Sequence, residues 1–209
     1  MLVAALVGLL ACWLLRITYV VLHGRSSQPA GDPPVHTMAV LGSGGHTAEM
    51  IALLESLDDA IYSPREYVIA DTDHTSADRI AAFEQSRPAP SFPRLLSLPR
   101  SREVGQSYIS SVATTMYALV HAVVLVFRSR PSLLLCNGPG TCIPVCAAAL
   151  GLRLLGVKYV TIVYVESIAR VQTLSLSGRI LLPIADHFLV QWPALAEKFP
   201  RAKCIGRLA

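Results

Sequence analysis

Short apolar runs recur along the chain, each closed by glycine, proline or small polar residues. Runs of that length read as strands covered on both faces. They predict strands over residues 35–41, 67–70, 95–98, 133–136, 159–165, 188–190 and 203–205. Between them, apolar positions recur at helical spacing over residues 46–57, 76–85, 108–127, 143–155, 178–182 and 194–199. Strands alternating with helices predict an α/β fold, a Rossmann-like doubly wound parallel sheet. The proline-bearing stretch 86–93 reads as a surface loop.

The first 22 residues break this pattern. They are apolar apart from Arg16 and Thr18. A helix of that length spans about 33 Å, enough for one transmembrane helix. Arg16, His23 and Arg25 lie in or after the run, and no basic residue precedes it. The positive-inside rule then places the bulk of the chain in the cytosol. A cleaved signal peptide is the competing reading, but it would carry a basic leading segment. Arg16 must snorkel or mark the interface. Residues 1–22 are therefore expected to be a transmembrane signal anchor, 23–34 a linker rich in Gly, Ser and Pro, and 35–209 one α/β domain. The helix over 108–127 is apolar along much of its length, and reads as a buried crossover helix or an in-plane membrane contact.

A chain of 209 residues with net charge +4 carries no basic run and no aromatic-interleaved basic stripe, which sets nucleic acid aside. Its five cysteines form no CxxC pair. They read as small hydrophobes in a reducing compartment. Cys142 and Cys146 could share a helix face, but no histidine lies at ligand spacing. No metal and no cofactor are expected.

Two glycine loops carry the candidate chemistry. Gly42-Ser43-Gly44-Gly45-His46-Thr47 runs from a strand into a helix. Glycines let backbone N–H groups approach a ligand, and the helix start adds partial positive charge, so the loop suits a phosphate or diphosphate. Thr47 stands where the dinucleotide fingerprint needs its third glycine. Asp71, at the end of the next strand, nonetheless keeps open an NAD(P)-dependent oxidoreductase tethered to a membrane. A plain connecting turn is the bland alternative. His46 falls in the first helical turn, where the dipole favours a neutral imidazole able to accept a proton.

The second loop is Asn137-Gly138-Pro139-Gly140-Thr141, again between strand and helix. Both loops should meet at the carboxyl edge of the sheet. Glu166 ends a further strand on that edge, as a base, a sugar ligand or an orienter of a histidine. Arg100 and Arg102 could contact diphosphate or headgroups. Ser175-Leu176-Ser177-Gly178 reads as a helix cap.

These segments, with Ala70-Asp71-Thr72-Asp73, Pro99 to Val104 and Gln191-Trp192-Pro193-Ala194-Leu195, closely resemble the membrane-anchoring subunit of the eukaryotic dolichol-linked UDP-N-acetylglucosamine transferase. More distantly, the first loop is similar to that of the bacterial lipid II N-acetylglucosaminyltransferase. The resemblance implies the N-terminal, acceptor-side half of a split GT-B glycosyltransferase. It implies a soluble, catalytic UDP-GlcNAc-binding partner subunit, a dolichol-linked acceptor and the endoplasmic reticulum membrane. The complex would add the second GlcNAc to GlcNAc-diphosphodolichol during lipid-linked oligosaccharide synthesis for protein N-glycosylation. His46 or Glu166 would be the base. Gly42, Ser43, Gly44, Gly45, Thr47, Asn137, Gly138, Gly140, Thr141, Arg100 and Arg102 would bind diphosphate or substrate. A pure membrane recruiter is the remaining reading of that likeness.

Overall fold

The computed structural model describes residues 2–23, 32–87, 93–101 and 106–208. The linker core, the tip of the 86–93 loop and Arg102 lie outside the described residues. The elements follow the expected order: α1 (Leu2–His23), β1 (Thr37–Val40), α2 (Gly45–Glu55), β2 (Arg65–Ala70), α3 (His74–Ser86), β3 (Arg94–Leu98) and α4 (Tyr108–Ser129). Then come β4 (Leu133–Asn137), α5 (Cys142–Leu154), β5 (Thr161–Val165), α6 (Leu176–Leu181), β6 (His187–Val190), α7 (Pro193–Lys198) and β7 (Ala202–Cys204).

All seven strands pair in parallel, in the order β3-β2-β1-β4-β5-β6-β7. The chain leaves the middle of the sheet at β1, fills one side, then crosses back through α4 to β4. The order reverses between β1 and β4, where doubly wound sheets bind ligands at their carboxyl ends.

Strand alternation divides the core in two. Met38 and Val40 of β1, Leu134 and Cys136 of β4, and Ile162 and Tyr164 of β5 face the layer that contains Ala122 and Val126 of α4 and Val145, Ala149 and Leu152 of α5. Ala39, Leu133, Leu135 and Tyr67 face Met50 and Leu54 of α2 and Ile80 and Phe83 of α3. Both faces are covered, which is why the strands read as continuous apolar runs. Below the sheet, Arg153 and Asp186 form an ion pair with both side chains 3% exposed. Tyr159 and the Ile162 N–H donate to the same carboxylate at 3.0 and 2.7 Å. Against Asp186, and chiefly through burial, the Tyr159 phenol is pushed up to about 12.

Arg16 reaches the end of α5: its Nε donates to the Leu154 carbonyl, with Nη2 3.5 Å from the Arg153 carbonyl. A cation at the carbonyls that end a helix is a favourable use of that charge. Among the described residues, the helix long and apolar enough to cross a membrane is Ile109–Ser129, with Ala11–Val20 a shorter apolar stretch. Ala118, Ala122 and Val126 bury one face of α4, while Ile109, Val112, Met116 and Val120 stand exposed on another.

Candidate functional site

The two glycine loops meet at the switch point. A side-chain carbon on Gly42 would lie 2.7 Å from Pro139 Cγ, so the loops touch only because Gly42 has none. Helices α2 and α5 start there, and neither has a side-chain N-cap bond. Asp73, Ser107 and Ser175 supply such caps to α3, α4 and α6. At α5 the Cys142 and Ile143 N–H groups already donate to the Pro139 and Gly140 carbonyls, and Pro144 has none, so it is the start of α2 that can offer backbone N–H groups to an anion.

A cavity of about 640 Å³ opens beside the loops. Gly42, Ser43, Gly140 and Thr141 line one part, together with Arg100 and Ser101. Arg100 Nε and Ser101 Oγ are buried atoms without a hydrogen-bond partner among the described residues. Val112 and Met116 of α4, Ile143 of α5 and Ile180 of α6 line another part. The cavity is therefore amphiphilic, polar near the loops, where Arg100 and Asp73 both line it, and apolar towards α4.

His46 stands between the loops. Its ring presses on Gly138, whose φ is 67° and where a side-chain carbon would fall 2.3 Å from Cε1. Its Nδ1 lies 2.8 Å from Asn137 Oδ1. Among the described residues, nothing hydrogen-bonds Nε2.

Two expected residues turn inward. Thr47 is fully buried, donates to the Gly42 carbonyl and lies 2.7 Å from Ser76 Oγ, tying the loop to α3. Glu166 is fully buried as well. It accepts from the N–H and hydroxyl of Ser175 at 2.9 and 3.1 Å, and from the Ser167 N–H at 3.2 Å. Burial pushes its carboxyl up, against the pull of those donors. A side-chain carbon on Gly178 would lie 2.2 Å from its Oε2. Ser175 is the expected cap, donated to by the Gly178 N–H. Asp71 is exposed, with its N–H on the Leu98 carbonyl, and Asp73 caps α3 through Ser76.

Glu49 and Gln191 were not singled out from the sequence, yet they complete the polar floor of the site. Glu49 is 5% exposed and accepts from Asn137 Nδ2 at 2.8 Å and from Gln191 Nε2 at 3.1 Å. Behind the second loop, Cys136, Cys142 and Cys146 are fully buried, with Cys136 Sγ 3.5 Å from Cys146 Sγ.

A family model described as "Oligosaccharide biosynthesis protein Alg14 like" matches residues 37–208. A human protein named "UDP-N-acetylglucosamine transferase subunit ALG14" is 48% identical over 211 residues, covering 98% of this chain and 96% of the human one. The mouse protein of the same name is 53% identical over 178 residues, 82% of each chain. Among solved structures, MurG of Acinetobacter baumannii superposes with a TM-score of 0.57 at 16% identity, over 83% of this chain and 45% of its own. The chain thus spans under half of MurG, and that likeness is one of fold. The family match over nearly the whole α/β domain, joined by near-complete coverage of relatives at about half identity, places this chain in the Alg14 family.

Proposed function

We propose that this chain is the membrane-anchored, acceptor-binding subunit of a heteromeric N-acetylglucosaminyltransferase. The transferase moves GlcNAc from UDP-GlcNAc to GlcNAc-diphosphodolichol on the cytosolic face of the endoplasmic reticulum. A soluble subunit binds UDP-GlcNAc and completes the site, and this chain recruits it to the membrane. The observation that carries the reading is the amphiphilic cavity. A diphosphate joined to an isoprenoid needs cationic and backbone donors at one end and an apolar path at the other. Arg100 and the loops supply the first, and Val112, Met116 and Ile180 the second. An NAD(P) molecule has no long apolar chain to lie along α4.

The exposed face of α4 extends that path outward. Ile109, Val112, Met116 and Val120 are 88%, 62%, 55% and 63% exposed, at the three- and four-residue spacing of one helix stripe. An apolar stripe beside the cavity suits in-plane contact with a bilayer. With α1 in the membrane as well, the lipid tail need not leave the bilayer when its headgroup enters the cavity.

His46 is the better candidate for the base. It is partly exposed and no described residue bonds its Nε2, whereas Glu166 is closed in by Ser167, Ser175 and Gly178. His46 Nε2 takes the proton of the acceptor 4-hydroxyl as the anomeric carbon of the donor inverts. Glu166 holds the turn that carries Ser167.

The test is reconstitution of the full chain with its UDP-GlcNAc-binding partner and a GlcNAc-diphosphopolyprenol. Arg100→Ala should raise KM for this acceptor about tenfold or more with little change in kcat. Equal KM for both forms would remove Arg100 from the diphosphate site. Tight binding of NAD(H), with no transfer of sugar, would replace the reading by the oxidoreductase.

A further inference from the structure

We propose that Glu49, which lies in neither glycine loop, is a positioning residue that fixes which nitrogen of His46 is free. The inference deepens the reading of His46 as base and rests on it. Glu49 follows His46 by three positions on α2, so the two project from one side of the helix. That side faces the sheet, where an unsatisfied carboxylate would be costly.

The carboxylate is instead fully engaged. Oε2 accepts from Asn137 Nδ2 at 2.8 Å and Gln191 Nε2 at 3.1 Å. Oε1 accepts from Ser167 Oγ at 2.9 Å and the Ile168 N–H at 3.3 Å. The donors come from the ends of β4, β5 and β6. An acceptor-only group surrounded by donors dictates how each donor turns. Asn137 must give its NH₂ to Glu49, so its oxygen faces His46, 2.8 Å from Nδ1. That oxygen accepts and cannot donate, so Nδ1 must carry a proton. A neutral imidazole then has its lone pair on Nε2.

Glu49→Gln separates this role from mere packing, because it keeps the shape and removes one acceptor. The Ile168 N–H is backbone and cannot turn away, so the new amide oxygen belongs there. The new NH₂ then faces Asn137 and Gln191. Gln191, whose oxygen is held by the Leu208 N–H at 3.0 Å, loses one bond. Asn137 turns over to offer its oxygen, and its NH₂ now faces His46 Nδ1. The ring responds by moving its proton to Nε2, which removes the base. Adding Asn137→Asp reverses the change: a carboxylate at that position accepts from the new amide and from an Nδ1–H together.

The experiment uses the full chain assembled with its partner, with ¹⁵N-labelled histidine and turnover measured on the same samples. His46→Ala identifies the His46 resonances. The expected result is an Nδ1–H tautomer in the wild type, an Nε2–H tautomer in Glu49→Gln, and Nδ1–H again in the Glu49→Gln/Asn137→Asp pair. Turnover should fall about 10²-fold in the single variant and return to within about tenfold in the pair, in kcat more than in KM. An Nε2–H tautomer in the wild type overturns the proposal even if no variant folds. So does a single variant that keeps Nδ1–H, or a pair that fails to restore turnover while melting like the wild type. If the tautomers switch as expected while turnover stays constant, His46 is not the base, and Glu49 has no part in the reaction.

Discussion

Gly138→Ala should cost this protein more activity than stability, and Gly206→Ala gives the scale. Both glycines have positive φ, 67° and 79°. Alanine in that region is strained by roughly 1–2 kcal/mol. For a chain of this size that is a fall in Tm of roughly 2–8 °C. At Gly206 nothing lies within 4 Å of the new methyl, so strain is the whole effect. At Gly138 the methyl would sit 2.3 Å from His46 Cε1 and 2.6 Å from Nδ1. Carbon atoms pack at about 3.5–4.0 Å, so the ring must recede by more than about 1 Å. That is enough to break the 2.8 Å contact with Asn137 Oδ1. Misplacing a reacting group by about that distance costs on the order of 10² in rate, roughly 2.7 kcal/mol of barrier. Thermal melts and turnover of the reconstituted transferase read the two effects separately. If Gly138→Ala turns over like Gly206→Ala, His46 does not act in the position the structure gives it.

Three further outcomes test other parts of the molecule. Asp186→Asn leaves the Arg153 guanidinium buried without its counter-charge, and should lower urea stability by about 3–5 kcal/mol with the m-value unchanged. Glu166 is held protonated more readily in the folded chain than in the unfolded one. The folded state therefore binds more protons just above the ordinary carboxyl range, and stability falls as pH rises through that window; melts against pH should show this slope and Glu166→Gln should flatten it. Val112→Glu with Val120→Glu should leave the melting curve within about 2 °C, since both side chains are more than half exposed, yet should abolish flotation with vesicles of a chain lacking residues 1–23.

The order of elements was legible because each apolar run is short and ends in residues that stop a strand or start a helix. The boundaries moved by only a few residues, as at β5, which starts at Thr161 where the pattern began at residue 159. The glycine loops were legible for the same reason. What the local pattern hid was direction. Thr47 and Glu166 look like ligand contacts because they end strand-to-helix turns, but Ser76 and Ser175 claim their side chains from elsewhere in the chain. Glu49 was hidden because its partners lie far along the sequence, at Asn137, Ser167 and Gln191. One signal was present: an acid on the helix side that also buries Thr47, Met50 and Leu54. A charge on an apolar stripe asks for a partner. The exposed stripe of α4 was half legible, since an apolar helix can face either a core or a lipid.

The cysteines behind the second loop set how the protein meets oxidants. Burial, then the neighbouring thiols, push the Cys136 thiol well above its ordinary value, so its reactive thiolate is scarce. Cys12 and Cys204 are exposed instead. A thiol reagent would thus mark the outer edge strand at Cys204 while sparing the wall of the site. The native chain can carry a fluorophore or a crosslinker at Cys204, on the side of the sheet away from β3, with the cleft between the glycine loops intact.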